Sequence, residues 1–413
     1  MRDIVILGGG FAGAHIASAL ETHLSSRRKL RLTVVNDRSH FVFTPLLPQV
    51  ASGDIRLSTI CVSLRDHLSP ATRLIIDTVS SIDLDKRVLV GDKGPIAFDY
   101  LVVCPGAEVD WGRHPEWAAH ARPCKTGRDA VAIGDRIDTA IRQAAAASTP
   151  EQRRELLTFV IGGGGPTGVQ LAADLTSMLR RRHRPQWTAD EAKDLRLILA
   201  ERAPTLVHGF PKQMQQIAHS HLERNGVEIL LGSEIVNRNA DSVSFSTGEE
   251  VRTQNFFWCG GVTTADVIRH SGFSLDELGR AQVRPTLESV DALGVYVLGD
   301  AAAHPALDRT TRTARTAAHQ AERAALNLLA DLSGQTKEPW IPQRSGTMMT
   351  LGRDNAIVEV RSYLFQGRTA RALHQAAWAA LIPTPLKKLA ILRDWLQSDD
   401  ASTVQEPRQL TES

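Results

Sequence analysis

Residues 4–13 read IVILGGGFAG, and residues 158–168 read TFVIGGGGPTG. Each stretch opens on a short run of aliphatic and β-branched residues, breaks at a cluster of glycines, and runs on with helical spacing. The helical part covers Ala14 to His23 after the first cluster and Val169 to Leu179 after the second. This is the pattern of a buried strand, a tight turn and a helix, written twice. A second apolar strand follows each copy, Leu30 to Val35 and Leu195 to Ala200. Strand, helix and strand in that order make a βαβ unit, whose strands lie parallel. The fold class read from the chain is therefore α/β, with two Rossmann-like domains. The buried run Val295-Tyr296-Val297-Leu298 is expected to return to the first sheet, so the second domain is inserted into the first. Residues 1–150 and 285–335 are read as the first domain and 155–284 as the second. Residues 336–400 are read as a C-terminal segment of strands and two amphipathic helices, and 401–413 as a disordered tail.

The rest of the composition narrows the function. The chain has 413 residues, 42% hydrophobic and 23% charged, with a formal net charge of +2. That length allows two or three domains, and the near balance of charge gives no field for nucleic acid. Cys61, Cys104, Cys124 and Cys259 share no CxxC or CxxxxC spacing, so neither a redox disulfide beside a bound cofactor nor a zinc or other metal site is expected. Met1-Arg2-Asp3 runs straight into a strand, which leaves no signal peptide, and no run of 18 apolar residues marks a spanning helix. A cytoplasmic location is expected.

The glycines carry specific chemistry. In GxGxxG the first permits the tight turn, the second lets backbone approach a pyrophosphate, and the third lets helix and strand pack closely. The helix start then offers unpaired N–H groups to the phosphates. An acidic residue normally ends the second strand and accepts the adenosine ribose hydroxyls. In the second unit this is Glu201, which favours NADH over NADPH because a carboxylate repels a 2′-phosphate. In the first unit Asn36 occupies that place, with Asp37 one step beyond. Asp300, at the end of the strand closing on Gly299, is positioned to bind a polyol hydroxyl.

A series of further motifs follows the same order along the chain: DRSHFVFTPLLPQVASG from Asp37, FDYLVVCPGAE from Phe98, GGGPTGVQLA from Gly163, WCGGV from Trp258, GDAAA from Gly299, SGTMMTLGR from Ser345 and LAILRDWL from Leu389. Together they resemble the type II NADH dehydrogenases, within the FAD-dependent pyridine nucleotide oxidoreductases, over nearly the whole chain. The resemblance implies a glutathione-reductase-like two-domain fold with FAD bound non-covalently and NADH beside it. It implies hydride transfer to flavin N5, then two electrons to a quinone-like acceptor without proton pumping. On that resemblance Gly8, Gly10, Phe11, Ala12 and Gly13 hold the FAD pyrophosphate. Val79 meets the adenine through its backbone, Thr44, Pro45 and Leu46 border the isoalloxazine, and Gly106 and Asp300 complete the site. Gly163, Gly165, Pro166, Thr167, Gly168, Glu201 and Gly261 serve the nicotinamide cofactor.

Two positions depart from the family pattern. Gln170 stands where the family has Glu, and can hydrogen-bond but not carry a proton. Ala314-Arg315 stands for an Ala-Gln pair bordering flavin and quinone, and puts a permanent guanidinium there, with Arg309 and Arg312 preceding it. His319, one helical turn on from Arg315, is a candidate proton donor. Gln170, Arg315 and His319 are therefore the candidate catalytic residues. They also leave room for rivals: a soluble flavoprotein oxidase or dehydrogenase of the same fold with a non-quinone substrate, or a redox sensor without turnover. The two C-terminal helices, 370–382 and 386–396, are open to two readings, peripheral contact with the inner face of the plasma membrane or packing on the protein body or a partner subunit such as a second copy. In the first helix Leu373, Ala377, Ala380 and Leu381 are read as the apolar face.

Overall fold

A computed structural model describes residues 2–24, 30–183, 188–307, 312–343, 346–382 and 385–397. Arg309 and the tail expected to be disordered lie outside the described residues. Along the chain, the strands of the two main sheets are β1 (Arg2–Leu7), β2 (Leu30–Asn36), β3 (Arg73–Ile76), β4 (Tyr100–Val103), β5 (Arg122–Pro123), β6 (Thr158–Gly162), β7 (Arg196–Glu201), β8 (Val227–Leu231), β9 (Asn255–Trp258) and β10 (Val295–Val297). The helices that matter here are α1 (Phe11–Leu24), α2 (Leu47–Ala51), α3 (Gly127–Ala145), α4 (Pro166–Met178), α5 (Ala314–Leu332), α6 (Arg368–Leu381) and α7 (Pro385–Gln397).

The chain divides into two compact units: Met1–Phe43, Cys61–Asp110 and Val262–Arg344 form the first, and Thr44–Ile60, Trp111–Gly261 and Ser345–Ser413 the second. The first unit carries a parallel sheet in the order β10-β4-β1-β2-β3. Ile4 pairs with both Leu32 and Tyr100, and Leu7 with Val35 and Val103. Ile4 to Leu7 are buried, as strands of a sheet covered on both faces must be. Val5, Leu7, Val35, Leu101, Val103, Val295 and Val297 share one core with Val267, Ile268 and Phe273. As expected, the 295–297 strand pairs with β4 in this sheet.

The second unit repeats the plan in the order β5-β9-β6-β7-β8. Gly162 pairs with Ala200 and with Trp258, and Val160, Ile198, Phe245 and Phe256 fill its core. In each sheet the glycine-bearing strand is central, and the order reverses beside it. That is the switch point at which doubly wound sheets leave a crevice past the strand ends. The α/β class with two Rossmann-type sheets and a helical C-terminal segment therefore stands.

The unit boundaries differ from the expected ones. Residues 111–150 go with the second unit because β5 joins its sheet through Arg122↔Phe257, and because α3 packs on α2, which precedes it from 44–60. Residues 262–284 go with the first, where Val262–Thr264 pairs antiparallel with Ala107–Val109. In each case long-range pairing outweighs position along the chain.

The C-terminal part adds an antiparallel meander, β11 (Thr347–Thr350), β12 (Ala356–Val360) and β13 (Tyr363–Gln366), to the second unit. α6 packs on it. The apolar face of α6, left open between lipid and protein, is not the side that packs on the second unit. Ala370, Arg371 and His374 are buried, whereas Leu373 and Ala380 are exposed. The physical reason is a polar layer beneath the helix. Arg371 donates to Gln49 Oε1 at 3.3 Å, and Trp378 Nε1 donates to His374 Nε2 at 2.8 Å.

Candidate functional site

The two glycine turns superimpose in their hydrogen bonding, bond for bond. Gly8 N donates to Val35 O and Gly163 N to Ala200 O, both at 2.8 Å. Cys104 N donates to Leu7 O at 2.8 Å and Cys259 N to Gly162 O at 2.7 Å. Ala14 N donates to Gly10 O at 2.8 Å and Val169 N to Gly165 O at 3.0 Å, closing the first turns of α1 and α4.

Each glycine has a reason. Gly8 and Gly163 have φ of +101° and +106°, a region closed to other residues except at a cost. A Cβ on either would stand within 2.4 Å of the Cys104 or Cys259 carbonyl oxygen. A Cβ on Gly13 would stand 1.8 Å from Gly8 O, and on Gly168 1.9 Å from Gly163 O. Gly10 and Gly165 are different, for a Cβ there would meet no protein atom within 4 Å. Gly165 is also the N-cap of α4, with extended φ/ψ and no side chain capping it. The fold needs Gly8, Gly13, Gly163 and Gly168. Nothing in the protein needs Gly10 or Gly165 to lack a side chain, but a pyrophosphate lying across the helix start would. Phe11-Ala12 and Pro166-Thr167 supply the first residues of those helices.

The strand-end residues are held by the same turns. Glu201 Oε2 accepts from Gly164 N at 2.6 Å and Oε1 from Ala203 N at 2.7 Å. Each oxygen keeps a lone pair for a ribose hydroxyl, and Arg202 beside it is exposed. In the first unit Asn36 Oδ1 accepts from Gly9 N at 2.7 Å, just as Glu201 does from Gly164, while its Nδ2 donates to Arg38 O at 2.8 Å. Asn36 is thus the positional equivalent of Glu201, without the charge. Asp37 is exposed and paired with Arg38 at 3.0 Å.

The other expected first-unit residues cluster at strand ends. Gly106 follows β4 with φ +79° and open space beside it, and Val79 opens the strand Val79–Asp83. Asp300 lies in a short 3-10 turn after β10, next to Gly299 at φ +68°. Gln320 Oε1 accepts from Gly299 N at 2.7 Å. This buried glutamine fixes the turn that presents Asp300, a role the sequence reading did not assign to it. Its only sequence signal is its place, two turns into α5. Arg312, half-buried, donates to Val262 O at 2.7 Å.

The remaining candidates separate. Ala314 is half-buried and opens α5, capped by Thr313, while Arg315 is exposed on its first turn. His319 Nδ1 accepts from Trp340 Nε1 at 2.9 Å, so a proton for donation can sit only on Nε2. In the second unit Thr44–Leu46 forms a 3-10 turn with Leu46 fully buried. Gly261 follows β9 at φ +134°. Gln170 ties α4 to β11: its Oε1 accepts from Thr350 N at 3.3 Å and Oγ1 at 3.1 Å, and its Nε2 donates to Pro166 O at 3.1 Å.

Beneath α6 and α7 the second unit buries a charged layer. Arg181 pairs with Asp54 at 2.5 Å, and Asp394 accepts from Thr59 Oγ1 at 2.6 Å and pairs with Arg56 at 2.9 Å. Burial first, then the nearby Asp54, pushes the Asp174 carboxyl up to about 8, against the pull of Arg371 and Arg181. Burial, and next Arg371, lowers His374 to about 3. Trp395 Nε1 donates to Gln49 Oε1 at 2.9 Å and Ile391 is buried, so α7 is docked by that side. Its other side carries Leu386, Leu389, Leu392 and Leu396, exposed by 80%, 64%, 43% and 79%. Among the described residues no helix is long and apolar enough to cross a membrane, and no cluster of three or more His, Cys, Asp or Glu could hold a metal ion.

Comparison with known proteins agrees with this geometry. The model of the pyridine nucleotide-disulphide oxidoreductase family matches residues 2–321. The chain is 29% identical over 409 residues to the type II NADH:quinone oxidoreductase Ndh of Mycobacterium tuberculosis, covering 95% of this chain and 87% of that protein. It is 24% identical to the external NADH-ubiquinone oxidoreductase 2 of Saccharomyces cerevisiae mitochondria, covering 95% and 80%. In fold it matches the NDH2 of Plasmodium falciparum in complex with NADH, with a TM-score of 0.86 at 15% identity over 96% of this chain and 98% of that one. It matches the sulfide:quinone oxidoreductase of Aquifex aeolicus less closely, with a TM-score of 0.75 at 18% identity over 92% and 90%. The chain belongs to the pyridine nucleotide-disulphide oxidoreductase family and, within it, is similar to the type II NADH dehydrogenases.

Proposed function

We propose that this protein is an FAD-dependent NADH:quinone oxidoreductase, working without proton pumping and bound peripherally to a membrane. The observation that carries the reading is the pair of open glycines, Gly10 and Gly165. Each stands at an uncovered helix start where the protein itself has no use for the space. FAD in the first unit would supply the two-electron relay between a hydride donor and the acceptor. The residues present fit it: Gly8, Gly10, Phe11, Ala12 and Gly13 for the pyrophosphate, Asn36 for the ribose, Val79 for the adenine by its backbone, and Gly106, Asp300 and Ala314 towards the far end. In the second unit Gly163, Gly165, Pro166, Thr167, Gly168 and Gly261 would hold the nicotinamide dinucleotide.

Glu201 sets the preference for NADH. Both oxygens are aimed by backbone N–H groups and retain acceptor capacity, which suits two ribose hydroxyls and opposes a phosphate. Hydride transfer needs position and a dry site, not a protein acid, which is consistent with Gln170 acting as a strut. The apolar stripe of α7 supports contact with a lipid surface. Its polar side is consumed by Gln49, Thr59 and Arg56, and Lys387 donates to Ser58 O at 2.7 Å, so four leucines are left outward where a lipophilic acceptor is dissolved.

The test is anaerobic mixing of purified protein with NADH, followed by a short-chain quinone. Bleaching of the flavin band by NADH and its recovery with quinone are expected. Bleaching without recovery would reject the acceptor class, and folded protein that takes up no flavin would reject the reading altogether.

A further inference from the structure

Cys124 and Cys259 lie 135 positions apart in sequence, yet the second sheet brings them together. β5 and β9 run parallel with Arg122 opposite Phe257 and Pro123 opposite Trp258. The same register puts Cys124 opposite Cys259, one step past the strand ends, and Cys124 N donates to Trp258 O at 3.3 Å. Residues opposite one another in a parallel pair project on the same face. Neighbouring strands are about 4.8 Å apart, inside the Cα separation that a disulfide spans.

The environment ranks the two thiols. Cys124 is buried, and Cys259 is partly open. The hydrogen bond to Cys259, then burial, holds the Cys124 thiol well above its ordinary range. Cys259 is also part of the dinucleotide cradle: its carbonyl oxygen would stand 2.4 Å from a Cβ on Gly163 and its own Cβ 3.4 Å from one on Gly168. A movement of Cys259 is therefore passed directly to the turn.

We infer that Cys124 and Cys259 are a peroxide-sensitive thiol pair, whose oxidation to a disulfide weakens nicotinamide-dinucleotide binding at the adjacent Gly163–Gly168 turn. The thiolate of Cys259 attacks hydrogen peroxide, the O–O bond breaks, and the sulfur leaves as a sulfenic acid with release of hydroxide. The Cys124 sulfur then attacks the Cys259 sulfur, the S–O bond breaks, and the Cys124 proton leaves with the hydroxyl as water. The released hydroxide takes up the proton that Cys259 lost on ionising, so two thiols lose two electrons and one peroxide becomes two waters. Cys104 is the counterpart of Cys259 in the first unit. Its thiol is pushed up to about 12 by burial and donates to Gly8 O at 3.4 Å, which disfavours the reactive thiolate.

The effect on binding rests on the second turn being the NADH site, so the experiment reads the bond and the binding separately. Full-length holoprotein is treated with hydrogen peroxide, then split in two portions, one returned to dithiothreitol. Peptide mass mapping is expected to show a Cys124–Cys259 link and a loss of 2 Da. Fluorescence titration is expected to show NADH binding about tenfold weaker, a change of about 1.4 kcal/mol. Dithiothreitol should restore both. Cys124→Ser, with Cys124→Ala as a second variant in case the first is unstable, should bind NADH normally and lose the peroxide response. Absence of the link in treated, folded protein overturns the proposal, and a mapped link with unchanged NADH affinity overturns its regulatory half. Reduced protein that never binds NADH would instead count against the functional reading, the mapped link still deciding the thiol pair.

Discussion

Alanine at Gly165 separates what the fold needs from what a ligand needs. The backbone at Gly165 has φ −71° and ψ −178°, which any residue adopts, and the added methyl would meet no protein atom within 4 Å. Two small terms act on stability. Reduced freedom of the unfolded chain favours alanine by about 0.4–1 kcal/mol. The poor N-cap quality of alanine costs about the same. The melting temperature of Gly165→Ala should therefore change by a few degrees at most. Binding is another matter. If pyrophosphate oxygens approach the helix start there, the methyl occupies their place, and an overpacked contact costs about 1–3 kcal/mol. At 1.4 kcal/mol per tenfold the affinity for NADH should fall by a factor of about 5 to 150. Gly168→Ala gives the opposite pattern. Its Cβ would stand 1.9 Å from Gly163 O, more than 1 Å inside contact, so the strand-to-helix crossing must open and stability should fall by about 3 kcal/mol or more.

The first unit supplies the parallel pair, Gly10→Ala and Gly13→Ala, read out as flavin content per folded chain. The assays are differential scanning fluorimetry for stability, NADH titration for the second turn and visible absorbance for the first. A Gly165→Ala protein with wild-type melting and wild-type NADH affinity would refute the placement of the pyrophosphate.

Other consequences can be checked alongside. Glu201→Ala should raise the ratio of kcat/KM for NADPH over NADH by about tenfold or more, one lost ribose contact being worth about 1.4 kcal/mol; an unchanged ratio would remove Glu201 from the ribose site. Asp174, with its folded pKa raised to about 8, stabilises most below its unfolded value near 4 and loses that contribution as pH rises through 8. Asp174→Asn should therefore gain on the wild type by the order of a few kcal/mol in urea melts at pH 9 relative to pH 4, and equal differences at the two pH values would refute it. His374, lowered to about 3, works in the other direction: its contribution is present above its unfolded value of 6.5 and fades as pH falls towards 3. His374→Gln should flatten that acid limb in the same melts. Replacing Leu386, Leu389 and Leu396 together by Gln should abolish co-sedimentation with anionic liposomes, each leucine contributing about 1.5 kcal/mol or more when buried in lipid. Melting and turnover with a water-soluble quinone should be unaffected, and retained sedimentation would place the membrane contact elsewhere.

The part of this molecule legible in sequence is the part fixed by short-range sterics. Gly8 and Gly163 are readable because a left-handed backbone beside a carbonyl admits only glycine, and Gly13 and Gly168 because helix and strand touch there. The close approach of Gly13 to Gly8 O and of Gly168 to Gly163 O acts within six residues, and the positive φ is a property of the turn itself, so both leave a local pattern. Glu201 is readable because the βαβ unit sets its strand end beside Gly164 at a fixed topological offset. Asn36 keeps the equivalent bond to Gly9 with an amide oxygen in place of a carboxylate, and that is why the charge could be lost without losing the turn.

What was not legible depends on which distant surface an element meets. The apolar spacing in α6 picked out Leu373 and Ala380 without deciding whether that side meets lipid or protein. Arg371 and His374 are buried instead, because Gln49, Asp54 and Asp174 wait beneath them. Cys124 and Cys259 carry no spacing signal, since their neighbourhood arises from the register of β5 on β9, set by strands that the sequence separates by a whole βαβ unit. One physical rule covers both cases. A helix face or a strand end is assigned by the free energy of the contacts it completes across the fold, which its own spacing does not record. It follows that the outward leucines of α6 and α7 are not a failure of packing. With the polar sides of both helices committed to the protein, the apolar sides are the ones left exposed.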